Sequence, residues 1–166
     1  MSFYPYAFTT PIVHHMVGTY KYTVVFLAAE LHDELPLDTY PRLRVSGEVG
    51  GQPFEGAWQP VRGRWYLMLS KGLLRNGGME IGDEVEVRFL VEDQDAVSVP
   101  TALRRALREE SAAEAAWQEL TAGKQRALAH RVASAKTEPT RMRRVAEVIA
   151  ALHGEDTSLN RILGRR

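Results

Sequence analysis

The chain contains no cysteine. That excludes disulfides, thiolate nucleophiles and cysteine-ligated zinc, and it fits a reducing compartment. No stretch approaches the about 18 uninterrupted apolar residues of a membrane span. Met1 to Thr10 lacks the basic start and apolar run of a signal peptide. A soluble, cytoplasmic protein is therefore expected. Internal repeats and low-complexity segments are also missing. Ser70 has no Gly-x-Ser-x-Gly elbow around it, so a hydrolase reading has little support. No catalytic set stands out, no cofactor motif is present, and the reading leans away from an enzyme.

Net charge is missing too, since 21 basic residues balance 21 acidic ones. The balance hides an asymmetry. Through Pro100 the chain has 8 Lys and Arg against 13 Asp and Glu; from Thr101 it has 13 against 8. Two surfaces that attract each other, or different partners, would carry such charges, and so would two solvated faces. A length of 166 residues with 45% hydrophobic and 25% charged suits one domain, or a small domain with an appendage, without metal or disulfide support.

The first half alternates. Tyr20, Tyr22, Val24, Phe26 and Ala28 recur at every second position, which predicts one buried strand face. Leu43, Val45, Gly47 and Val49 point one way while Arg42, Arg44, Ser46 and Glu48 point the other. Gly50-Gly51 supplies a tight hairpin. Phe54, Gly56 and Trp58 line the return strand, and Trp65, Leu67 and Leu69 the next, with a turn over Pro60 to Gly63. Lys71 to Asn76 breaks the period as a short helical turn ended by Gly77-Gly78. Val85, Val87, Phe89 and Val91 form the inner face of a last strand. Such a meander closes economically as a small closed or half-closed barrel.

After Val99-Pro100 the spacing turns helical. Ala102, Leu103, Ala106 and Leu107 share a face. Ser111 and Glu114 fit a capping box. Leu128, Val132 and Ala135 mark a third helix. Thr137 or Thr140 caps a fourth, with Pro139 in its first turn and Met142, Val145, Ile149 and Leu152 as its stripe. Gly154 is placed to end it. Glu155 to Arg166 has no periodicity and is expected to fray.

Two stretches resemble a known pair of families. The first is Val49-Gly50-Gly51-Gln52-Pro53-Phe54, then Tyr66 to Lys71, Leu74-Arg75 and Ile81 to Val87. It is similar to a small β-barrel family of unknown function. The second is Val99-Pro100, Leu103, Ala106-Leu107, then Ala135 to Val145. It resembles the YdeI/OmpD-associated (bacteriocin-protection) helical domain often joined to that barrel. Together they span most of Gly18 to Leu152, and the first 13 residues lie outside them. Pro139 departs from the pattern and bears on where the last helix starts. The resemblance implies an α+β chain. A double-split-type barrel of about five or six strands, like AbrB-like transcription factors in outline, precedes a short helical region. The expected division is 14–97 barrel, 98–155 helical domain and 156–166 flexible basic tail. The resemblance implies no established activity, though the family name points to antimicrobial-peptide protection.

Several residues are candidate sites. Lys71 and Arg75, four apart, share a helix face and could hold an anion or extend across the barrel end. Arg141 and Arg144, with Lys136, could bind phosphate or carboxylate; alternatively they reach the acidic barrel or pair with Glu138 and Glu147. Trp58, Trp65 and Tyr66 could stack on a ring, but the two tryptophans share the inward period and read as core. Tyr66 and Met68 point the other way and, if exposed, make a partner or dimer surface. His14-His15, His32, Asp33 and Glu34 are metal-ligand types without ligand spacing, so no metal site is assigned.

Three functions compete. The first is a non-catalytic binding or interaction protein, linked to stress or antimicrobial-peptide resistance. The second is nucleic-acid binding through the basic helical half, with Arg104, Arg105, Arg108, Arg141, Arg143 and Arg144 as the contacts. The third is a small anionic-ligand binder or unrecognised enzyme with its pocket between barrel and helices. Monomer and homodimer both fit, because split barrels leave edges that must be paired or covered.

Overall fold

The computed structural model describes residues 3–166. Their contacts divide the chain into two compact units, 1–94 and 95–166.

The first unit is an antiparallel sheet of seven strands. They are β1 (Tyr6–Pro11), β2 (Val13–Val17), β3 (Tyr20–Phe26), β4 (Leu43–Val49), β5 (Gln52–Val61), β6 (Arg64–Met68) and β7 (Glu84–Val91). Their order is β1-β7-β4-β5-β6-β3-β2. A 3-10 helix, Ala29–Glu34, follows β3, and α1 (Lys71–Gly77) joins β6 to β7. The edge strands β1 and β2 are separated in sequence by Ile12 alone. Ile12 is fully buried, and its backbone bonds Asp83 and Gly82. One residue can connect opposite edges only if the sheet curls, so the sheet is a half-barrel. These two strands, Tyr6 to Val17, raise the count above the five or six expected.

Hairpin chemistry sets the register. Gly50 and Gly51 both have positive φ, as a two-residue I′ turn requires, and Val49 pairs with Gln52. Arg62 and Gly63 repeat the geometry between β5 and β6, with Arg62 at φ 48. The inward residues are those read from the alternation: Leu43, Val45, Val49, Trp58, Leu67, Leu69, Val85, Val87 and Phe89 are all buried in one cluster. Ser70 caps α1 by accepting from the Leu73 amide, and Gly78 closes it in the left-handed region.

Two expectations on this sheet are corrected. The inward residues here are Val25 in β3 and Leu27 just after it, and the face of Tyr20, Tyr22, Val24 and Phe26 is the outer one. Tyr20 there is 69% exposed, although Val24 is covered completely. Tyr66 points outward as predicted but is not exposed. It pairs with Phe26 across the strands, and the His15 ring lies 4.9 Å from its own. Cross-strand aromatic packing has buried a residue that simple alternation leaves in solvent. Of the predicted pair only Met68 is exposed.

The second unit holds α2 (Thr101–Glu109), α3 (Ser111–Gln118), α4 (Ala122–Ala133), α5 (Glu138–Leu152) and α6 (Asn160–Leu163). Its core joins Leu103, Leu107, Trp117, Leu128, Val132, Val145, Val148 and Leu152. Thr121 and Thr137 cap α4 and α5 through their side chains, and Pro139 sits in the first turn of α5. Gly154 has φ +89 just past α5, as its position predicts. Ser111 is no cap: α3 already contains it, Glu110 precedes the helix, and no side-chain capping bond forms. Met142 leaves the predicted stripe and is 50% exposed, because Val148 and Ala151 face the core instead. The segment 156–166, expected to fray, carries α6, and it buries Leu159 and Leu163 in the core. Among the described residues no helix is long and apolar enough to cross a membrane.

Candidate functional site

A recess of about 420 Å³ opens between the first turns of α2 and α5. Pro100, Thr101, Ala102 and Arg105 form one wall, and Glu138, Arg141 and Met142 the other. Two helix N-termini thus meet at one place, and each presents the positive end of its dipole. They differ in how they are satisfied. Thr137 caps α5 by accepting from the Thr140 amide. The residue before α2 is Pro100, which has no side-chain oxygen to offer, and no capping bond forms there. The first amides of α2 therefore have no side-chain partner within the helix start.

Two arginines also line the recess. Arg105 is exposed, and no ion pair or hydrogen bond engages its side chain among the described residues. Arg141 reaches Glu138 at 2.5 Å and the Ala135 carbonyl at 3.3 Å. The Glu138 side chain is 68% exposed, so the pair holds Arg141 in place with little net energy. An incoming oxyanion can share the guanidinium, which has five donors. Met142 supplies the apolar edge.

The other predicted cations go elsewhere. Arg144 donates to the Arg131 carbonyl at 2.9 Å and to Ser134 Oγ at 3.2 Å, and so fastens the end of α4. Lys136 is exposed in the turn between α4 and α5 and does not line the recess. Glu147, the other predicted partner, is taken by Arg131 at 2.8 Å. The hydrogen bond from Ser158 and the Arg131 guanidinium hold its carboxyl below the usual range against the opposing cost of burial. Lys71 and Arg75 are both exposed on α1, whose N-terminus Ser70 already occupies. His14 and His15 alternate sides on β2, and His32 packs edge-on against Trp65 at 4.9 Å. Among the described residues no three His, Asp or Glu gather in a way that could hold a metal ion.

Sequence reasoning named Arg105 only as one of a basic set. Its pairing with Arg141 arises from helix packing that no local pattern records. Val99-Pro100 reads in the sequence as the start of the helical half; that α2 lacks a side-chain cap there follows from proline having no side-chain oxygen.

Residues 8–89 match the family described as a domain of unknown function, DUF1905. Residues 96–154 match the family described as "Bacteriocin-protection, YdeI or OmpD-Associated". The two matches follow one another along the chain. None of the curated proteins matches it. Every residue of the recess, from Pro100 to Met142, lies inside the stretch that matches the YdeI/OmpD-associated family.

Proposed function

We propose that the YdeI/OmpD-associated domain is a non-catalytic recognition module that takes an anionic group into the α2–α5 recess. One observation carries the reading: an uncapped helix N-terminus and two guanidiniums from different helices converge on one recess. The uncapped α2 amides donate to an oxyanion, Arg105 and Arg141 bracket it, and Met142 contacts whatever apolar stem it bears. Nothing in the lining is a nucleophile paired with a base, which supports binding over turnover. A cytoplasmic place and a part in resistance to antimicrobial peptides belong to this reading, supported by the cysteine-free composition and the family description.

The test is a titration of the full chain with benzoate and with inorganic phosphate, followed by amide NMR shifts. Saturable shifts at residues 100–105 and 138–142 are expected. Arg105→Gln with Arg141→Gln should weaken binding roughly 10-fold or more, since a charge-assisted hydrogen bond contributes about 1.5–3 kcal/mol. Binding that survives the double variant would remove the proposal. Tighter retention of nucleic acid than of either anion, with steep salt dependence, would replace it with the nucleic-acid reading.

A further inference from the structure

A second recess lies in the first unit, on the outer side of β4, and its chemistry is opposite. It measures about 440 Å³, and Phe3, Tyr4, Ser46, Gly47, Pro53, Phe54, Glu55 and Leu90 line it. The strand register sets its floor. Ser46 stands opposite Glu55 on one side and Leu90 on the other, so the three form a row across β5, β4 and β7. Side chains in one row of a paired sheet are held on rigid backbone.

Three features fix the kind of ligand. Glu55 is exposed and, among the described residues that line the recess, is the only side chain charged at neutral pH. Ser46 Oγ donates its proton to Glu92, which commits the hydroxyl's single donor and leaves its oxygen an acceptor. That bond also sets a second carboxylate beside the floor. The walls are aromatic: the Phe3 and Tyr4 rings stand 5.3 Å apart at 85°, a corner of two nearly perpendicular faces, and Pro53 extends it. Phe3 is 80% exposed and spends its ring on no core contact. Acceptors on the floor reject anions. Ring faces in a corner attract a cation that carries apolar surface.

We propose that this recess binds an ammonium group on an apolar stem, either a free alkylamine or a lysine side chain of a peptide. Glu55 pairs with the charge, the Ser46 oxygen accepts one N–H, and the corner of Phe3 and Tyr4 packs on the stem. The site is independent of the helical recess in location and charge.

The experiment uses the full chain with n-butylammonium chloride, acetyl-lysine methylamide and 1-pentanol, the last a neutral match in size. Amide shifts at residues 3–4, 46–47, 53–55 and 90 are followed. Both amines should saturate, and pentanol should not. Glu55→Gln should weaken the amines about 5-fold or more, and Phe3→Ala roughly 2- to 5-fold, the range of an exposed cation–π contact. Both residues are exposed, so the variants keep the fold, which the unchanged remainder of the spectrum verifies. A stronger response to the lysine derivative identifies a peptide source; equal responses identify the ammonium itself. Pentanol matching the amines, absence of saturation by either amine, or an unaffected Glu55→Gln variant overturns the proposal.

Discussion

At the scale of single residues, Gly47 and Glu147 show how much one position can decide. A methyl group on Gly47 would lie 1.9 Å from the Arg88 carbonyl oxygen and 2.7 Å from the Phe89 Cα. Both are backbone atoms of the paired strand, so no rotamer change relieves the clash. Gly47→Ala should therefore cost several kcal/mol, about 3 or more, placing it among the rare severe substitutions; a melting curve of the variant checks it. Glu147 makes a pH prediction. Its carboxyl is held below the usual range, first by the Ser158 hydrogen bond and then by Arg131. A depressed carboxylate binds fewer protons folded than unfolded. Its contribution is thus complete above the unfolded value, about 4.3, and is lost as pH falls through the lower folded value. Between pH 7 and pH 3 the parent should lose more stability than Glu147→Gln does. Equal acid slopes would refute it. Neither feature is legible in the sequence. Gly47 reads as one inward position among four, and its crowding depends on how closely β7 approaches. Ser158 lies 11 residues from Glu147, outside any helix that would pair them.

At the scale of elements, local chemistry was the most legible part. The alternation in 42–49 states which face of β4 is buried, and Gly50-Gly51 states the turn. Where alternation failed, packing acts on both sides of a strand. Val24 and Val25 are adjacent and both fully buried, so β3 has no solvent face at that point. A period-two reading must then pick a side, and the tyrosines pull it to the wrong one. The helix caps offer a clean comparison. Thr137 accepts from the Thr140 amide at 3.4 Å, whereas Ser111 caps nothing. Thr137→Ala should cost about 1 kcal/mol, and Ser111→Ala less than about 0.5. Chemical denaturation with an unchanged slope measures both. A larger loss at Ser111 would show that the capping box read from Ser111 and Glu114 does form.

At the scale of the molecule, the two units divide the charge as well as the fold. Residues 1–94 hold 8 basic and 12 acidic side chains; residues 95–166 hold 13 and 9. Net charge sets which small ions a surface concentrates, so the proposed anion recess lies in the more basic unit and the proposed ammonium recess in the more acidic one. The candidate site was half visible in the sequence: Arg141 was singled out, while its partner Arg105 needed the packing of α2 on α5. Each unit also has a hydrophobic cluster of its own, and the two clusters share no residue. A unit that buries its own core has what it needs to fold. The fragment 95–166 should therefore be helical by circular dichroism and melt cooperatively. It should also bind benzoate within about 3-fold of the full chain, because every lining residue of that recess lies within it. The fragment 1–94 should show strand signal and bind butylammonium but not benzoate. A helical fragment that folds yet has lost benzoate would mean that residues before Asp95 complete the anion site, and the assignment of that site to α2 and α5 alone would fall.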